Sequence, residues 1–300
     1  TKDISTGRAY DWYNVGKLRN SGFEFDLNVK LIQKKDWYWD MSVNGYTYAN
    51  KMLNLPDEYK VSGMPNGNQR IYEGKDIYRW EMRQFAGLDE KGNSLWYMDQ
   101  DILDDAGNVV GVEKVTTGDA TEATQYLLEK SALPDFTGGL NTTLRWKSLD
   151  LTIMTNFQFG GYGYDYDFSV FSSANFPMNR LKNYADAWNP ETGKGSAPIW
   201  NTNDSNINAS SDRFLISKTY FNLRNITLGY TFPANWMSKI GIKSVRVYFA
   251  CDNVFFASKR KGYDPRTSMG GQGATVALNS VDGTYYSPIR TTSVGLNINF

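Results

Sequence analysis

The last eleven residues, Arg290-Thr-Thr-Ser-Val-Gly-Leu-Asn-Ile-Asn-Phe300, constrain the fold more than any other stretch. Thr292, Val294, Leu296, Ile298 and Phe300 alternate with Thr291, Ser293, Gly295, Asn297 and Asn299. Successive side chains of a strand point to opposite faces, so this segment has one apolar and one polar side. The apolar side runs to a terminal aromatic ring, although chain termini commonly fray. A barrel wall with lipid outside, a polar lumen inside and aromatic girdles at both interfaces accounts for the pattern. The last strand of a soluble sandwich is the alternative.

Alternation of the same kind recurs upstream. It predicts strands at 23–31 and 37–48 around the turn Gln33-Lys-Lys-Asp36, and at 140–146 and 149–159 around Lys147-Ser148. Further strands are expected at 221–232, 245–252 and 291–300, with a long imperfect one at 71–88 and a short one at 94–98. Phe221 and Leu223 keep one phase while Ile226, Leu228 and Tyr230 keep the other, so a β-bulge is expected near Arg224-Asn225. The reading is all-β, with about nine antiparallel strands. Ten residues rising about 3.3 Å each at a tilt near 45° cover about 23 Å, close to the apolar band of an outer-membrane barrel.

On this reading Leu149, Leu151, Ile153, Val245, Val247, Phe249, Val294, Leu296 and Ile298 face lipid. Asp150, Thr152, Arg246, Asp252, Asn297 and Asn299 face the lumen. Connections alternate in length. Short ones fall near Lys34, Lys91 and Ser148, with a middling one at Trp236, and long ones begin near Lys51, Asp99, Gly160 and Ala257. Outer-membrane barrels show this asymmetry, whereas a sandwich or propeller has no reason to gather its long loops at one end.

Composition narrows the function classes. The chain has 32 Lys+Arg against 32 Asp+Glu, so it lacks the basic footprint of a nucleic-acid binder. Aromatics reach 15%, which suits interfacial belts or stacking on sugars. No run approaches the roughly 18 apolar residues of a membrane helix. With no His and the single Cys251, the usual transition-metal sites and Ser-His or Cys-His pairs are unavailable, and no cofactor is expected. The chain opens at Thr1 in loop-like sequence and reads as the C-terminal part of a longer protein.

Several stretches resemble the C-terminal barrel of SusC/RagA-type TonB-dependent transporters from the Bacteroidetes outer membrane. They are Asn14-Val-Gly-Lys-Leu-Arg-Asn-Ser-Gly-Phe-Glu24, Ala86-Gly-Leu-Asp-Glu-Lys-Gly-Asn93, Tyr184-Ala-Asp-Ala-Trp-Asn-Pro-Glu-Thr-Gly193, Tyr220-Phe-Asn-Leu-Arg-Asn-Ile-Thr-Leu-Gly-Tyr-Thr-Phe-Pro233, Arg246-Val-Tyr-Phe-Ala-Cys-Asp-Asn-Val-Phe255 and Val294-Gly-Leu-Asn-Ile-Asn-Phe300. The similarity runs nearly end to end. It implies that residues 1–300 are the C-terminal portion of a 22-stranded barrel whose plug domain and earlier strands lie outside this sequence. It also implies a SusD-like surface lipoprotein as partner, energy from TonB, and import of oligosaccharides, or peptides in some members. The alternative class is a surface glycan-binding or adhesive β-protein without transport; an outer-membrane enzyme is a third.

Candidate ligand contacts are Tyr162, Tyr164, Tyr166, Trp188 and Trp200, amphipathic rings in and beside the longest connection, 160–217. Girdle or partner-contact roles are the competing explanation. A short helix is expected near 179–188. Asp99, Asp101, Asp104 and Asp105 lack the spacing of a calcium loop and read as a solvated acidic loop. Asp186 and Glu191 fall inside a motif of the resemblance and are not read as a glycosidase pair.

Overall fold

The computed structural model describes residues 16–172, 182, 186–201, 206–207, 209–259 and 288–300. Its strands, in chain order, begin with β1 (Lys17–Gln33), β2 (Trp37–Asn54), β3 (Met64–Asn66), β4 (Gln69–Ile71), β5 (Arg79–Arg83) and β6 (Phe85–Leu88). There follow β7 (Ser94–Leu103), β8 (Val109–Thr117), β9 (Gln125–Ser131), β10 (Phe136–Trp146), β11 (Leu149–Phe159) and β12 (Tyr162–Tyr164). The last are β13 (Leu215–Ser217), β14 (Tyr220–Thr231), β15 (Ser244–Ser258) and β16 (Thr291–Asn299). Two short α-helices, α1 (Tyr166–Phe171) and α2 (Ala234–Met237), and single 3-10 turns at Asp57–Tyr59, Asp212–Phe214 and Ser238–Ile240 complete the described elements, and none of the described helices is long and apolar enough to cross a membrane.

Seven strands make one antiparallel wall in the order β1-β2-β10-β11-β14-β15-β16, with β1 and β16 as its edges. Register explains why the wall has two unlike faces. Residues paired across an antiparallel ladder share a face. One such row runs Trp39, Leu144, Leu151, Leu228, Phe249, Val294 across six strands. The adjacent row on the other face runs Asp40, Thr143, Thr152, Thr227, Ala250, Ser293. The nine residues expected toward lipid all share the first face, and the six expected toward the lumen share the second. The shift of phase in β14 is a register irregularity between Leu223 and Asn225, the expected bulge.

Aromatic rings gather at both ends of the apolar face. Trp37 and Trp146 are cross-strand partners with rings 5.7 Å apart at the short-turn end. At the other end Phe136 lies 6.0 Å from Phe157 and 6.4 Å from Phe25. The connections at 34–36, 147–148 and 232–243 all lie at the Trp end; those leaving β2, β11 and β15 upward are long.

Two of the nine expected strands do not join the wall. The 71–88 stretch breaks into the end of β4, then β5 and β6, and 94–98 becomes the base of β7, in separate small sheets. The reason lies in burial. Trp80, Glu81 and Met82 are consecutive and all buried, so β5 is covered on both faces, unlike a wall strand with one face to lipid. Within the long connection that begins near Asp99, the sequence Asp105-Ala-Gly-Asn108 suits a small hairpin turn, and there β7 and β8 form that hairpin, closed by Asp104, whose carboxylate accepts from the backbone N–H of Ala106 and Asn108.

Candidate functional site

The polar face of the wall is built from short hydrogen-bonded clusters. Asn222 Nδ2 donates to Asn156 Oδ1 at 2.7 Å, and Asn156 Nδ2 donates to the Tyr220 hydroxyl at 3.1 Å. Asn225 Nδ2 donates to Asp252 Oδ1 at 2.8 Å. Nearer the turn end, Arg246 forks onto Asp150, Nε to Oδ1 at 3.0 Å and Nη2 to Oδ2 at 2.5 Å. The two residues sit on strands separated by β14, and Gly229 of β14 lies opposite Asp150 in register. The guanidinium crosses directly over Gly229, where a Cβ would collide with it. Glycine is required there for close approach rather than for backbone freedom.

Above the wall, the long connections leaving β2 and β11 interlock as one lobe. Trp80, Met82, Leu128 and Ala132 from the first pack with Tyr164, Phe214 and Leu215 from the second. The Trp80 indole N–H donates to the Tyr162 carbonyl at 3.1 Å, and the Phe85 N–H donates to Asp212 Oδ1 at 2.9 Å. Two motifs of the resemblance meet in this lobe. Gly92, at φ +82, closes the turn between β6 and β7, and the Trp188 ring packs against it. The Ile199 N–H donates to the Gly92 carbonyl at 2.9 Å.

This architecture assigns places to the five candidate aromatics. Tyr164 is 4% exposed in the lobe core, its hydroxyl 3.1 Å from Ser169 Oγ, so its ring presents no surface to a ligand. Tyr162 and Tyr166 are half-buried against the same core, and the Lys130 ammonium lies 5.5 Å from the Tyr162 ring. Trp188 is half-buried against Gly92, while Trp200 is exposed. The five are therefore not one cluster: three belong to or line the lobe core and two lie in the 186–201 segment. Asp186 and Glu191 are exposed in turns of that segment, and the expected helix near 179–188 lies largely outside the described residues.

Sequence reading missed a cavity of about 480 Å³ where the lobe meets the tops of β1 and β2. Tyr48, Asn50, Asp76, Arg79 and Asp135 line it. Asn50 is its hinge with the lobe, since its Oδ1 accepts from the Ile77 N–H at 3.1 Å and its Nδ2 donates to Asn20 Oδ1 at 2.6 Å. Arg79 is held between Asp76, 3.2 Å, and Glu129, 2.6 Å, which draws the Glu129 carboxyl below its usual range. A guanidinium, carboxylates, an amide and a phenol around one cavity suit a ligand rich in hydroxyl or amide groups. The spacing of Asn50, Asp76 and Asp135 along the chain gives no signal for this convergence. Elsewhere in the lobe, Lys114 sits 4.4 Å from both the Tyr97 and Tyr126 rings, and the Tyr126 hydroxyl donates to Asp99 Oδ1 at 2.5 Å. Burial together with that carboxylate pushes the Tyr126 phenol up to about 12.

No family model matches the chain. Among curated proteins, it is 25% identical over 308 residues to TonB-dependent receptor P3 of Formosa agariphila, covering 96% of this chain and 29% of that protein. It is 27% identical over 299 residues to TonB-dependent receptor SusC of Bacteroides thetaiotaomicron, covering 96% of this chain and 27% of that one. Over nearly its whole length the chain is similar to SusC-type TonB-dependent receptors. It spans about three tenths of the length of these relatives. In fold it matches the RagAB peptide transporter, with a TM-score of 0.74 at 24% identity over 100% of this chain and 31% of that one. The RagAB peptide importer in its open-open state gives a TM-score of 0.76. These receptors are outer-membrane proteins rather than enzymes, and the seven-stranded wall is read as part of an outer-membrane barrel.

Proposed function

We propose that the chain is the C-terminal wall segment of a TonB-dependent importer of oligomeric nutrients, working beneath a SusD-like surface lipoprotein. The observation that carries this reading is the wall itself: one apolar face, one hydrogen-bonding face, and its long connections all at one end. On this reading the plug, the remaining strands of a 22-stranded barrel and the TonB-engaging part belong to polypeptide outside these 300 residues. The 480 Å³ cavity beneath the lobe then faces arriving nutrient. Its hydrogen-bonding lining favours an oligosaccharide; the fold match to a peptide transporter supports a peptide as the second reading.

The test is growth of the native host on an oligosaccharide and on its monomer. The receptor carries Tyr48→Ala with Asp135→Asn, and its assembly is checked by heat-modifiable gel mobility. Growth on the oligomer should fall while growth on the monomer stays normal. Unchanged growth with an assembled variant would remove the cavity from recognition. Surface binding that persists without uptake, with or without TonB, would favour the adhesive alternative.

A further inference from the structure

The cavity beneath the lobe has a backbone side as well as a side-chain lining. β10 pairs with β2 only as far as Tyr46, opposite Thr137. Further along the same edge the 74–75 turn takes over. There the Met52 N–H donates to the Lys75 carbonyl at 2.9 Å, and the Gly74 N–H donates to the Met52 carbonyl at 2.8 Å. The register of β2 with β1 is regular from Tyr46 to Met52. Alternate residues of a strand turn their backbone groups to the same edge. The N–H and C=O of Tyr48 and Asn50 therefore point into the gap between β10 and the turn, and both residues line the cavity. Among the described residues nothing bonds those groups on that edge. The facing segment has no donor left for them. The Ala132 N–H goes to the Tyr78 carbonyl, that of Leu133 to Ser131 Oγ and that of Asp135 to the Phe159 carbonyl, while Pro134 has none.

This edge is buried and rigid. Asn50 is 6% exposed, and its side chain is tied to the Ile77 N–H and to Asn20. A buried backbone group without a partner costs about as much as a lost hydrogen bond, and an unpaired strand edge is a template for another strand. Tyr48 and Asn50 lie about 6.8 Å apart, the spacing at which an extended peptide repeats its own N–H and C=O. The side-chain lining suits hydroxyl or amide groups, and the open edge selects the amide. We infer that the cavity binds an extended peptide segment, added as a short strand to β2 at residues 48–50. The inference rests on the import reading for the peptide's role as cargo, and it makes main-chain contacts rather than side chains the basis of recognition.

The test uses the full receptor purified in detergent. The probes are end-blocked penta-alanine, the same peptide methylated at every amide nitrogen, and maltopentaose. Calorimetry should show penta-alanine binding that methylation weakens at least about tenfold. Two variants at one position separate backbone from side chain. Tyr48→Ala keeps the N–H aimed into the gap, and Tyr48→Pro removes it without breaking a bond to β1. Penta-alanine should bind Tyr48→Pro at least about fivefold more weakly than Tyr48→Ala. The inference is overturned if the parent does not bind penta-alanine, binds only maltopentaose, or binds the methylated peptide equally well. Equal affinity of the two variants also overturns it. Should Tyr48→Pro fail to assemble, the methylated probe on the parent decides alone. These measurements need neither TonB nor growth. Edge-dependent peptide binding alongside unchanged growth of the Tyr48→Ala, Asp135→Asn receptor would remove the cavity from import and leave the strand-addition site standing.

Discussion

A charge placed on each face of one strand tests the wall directly. Ile153 and Thr152 are neighbours on β11, with Ile153 paired to Thr142 and Ile226 on the apolar face and Thr152 to Thr143 and Thr227 on the polar face. Ile153 stands four residues above Leu149 and six below Phe159, so it lies about 9 Å from one end of the apolar band and about 14 Å from the other. Val247 pairs with Tyr230 and Leu296 nearer the turn end, which makes Ile153 the better mid-membrane probe. Arginine at mid-depth on a lipid face costs about 2–4 kcal/mol. That is about 30- to 1000-fold in the folding constant. Thr152→Arg meets a water-facing surface and should change stability by no more than about 0.5 kcal/mol. The assay is urea unfolding of the full receptor in phospholipid bilayers, followed by heat-modifiable gel mobility. Equal costs for the two variants, or a larger cost for Thr152→Arg, would refute the assignment of faces.

Three further outcomes follow from the packing. Gly229→Leu should displace the Arg246 guanidinium from Asp150 and lower wall stability by about 1–3 kcal/mol, read in the same urea titration. Trp80→Ala should cost the lobe about 3–5 kcal/mol, seen as proteolytic cutting between β2 and β10 while the wall keeps its gel mobility. The Tyr126 phenol titrates at 10.0 when unfolded and at about 12 when folded, so the stability it lends the lobe is complete below pH 10.0 and is lost as pH rises through about 12. Tyr126→Phe should flatten that alkaline loss, measured by tyrosine absorbance and limited proteolysis from pH 9 upward to about 12.

How much of this was written in the sequence depends on how each segment is covered. β10, β11 and β16 were legible because one side faces apolar surroundings and the other polar ones, and period two records that difference residue by residue. The β14 bulge was legible for the same reason, as a slip in phase. The lobe was not, because Trp80, Glu81 and Met82 are covered on both sides and period two carries no information there. Tyr164 shows the corresponding limit for the site. An alternating tyrosine beside a long connection looks like a surface for stacking, yet its ring completes a core made with residues about 80 positions earlier in the chain. Asn50, Asp76 and Asp135 meet only because the lobe folds back onto the wall, a relation that no local pattern encodes.

The interlocking of the two connections has an evolutionary consequence. Wall registers are pinned by tight turns at the opposite end, so the lobe can diverge without disturbing them. It cannot diverge piecemeal. A new version of the stretch between β2 and β10 must still offer a donor where Trp80 meets the Tyr162 carbonyl and a cradle where Gly92 meets Trp188. The two segments, though separated in sequence by the β10–β11 hairpin, are therefore expected to change together. Chimeras between diverged relatives should tolerate exchange of both together and reject exchange of either alone.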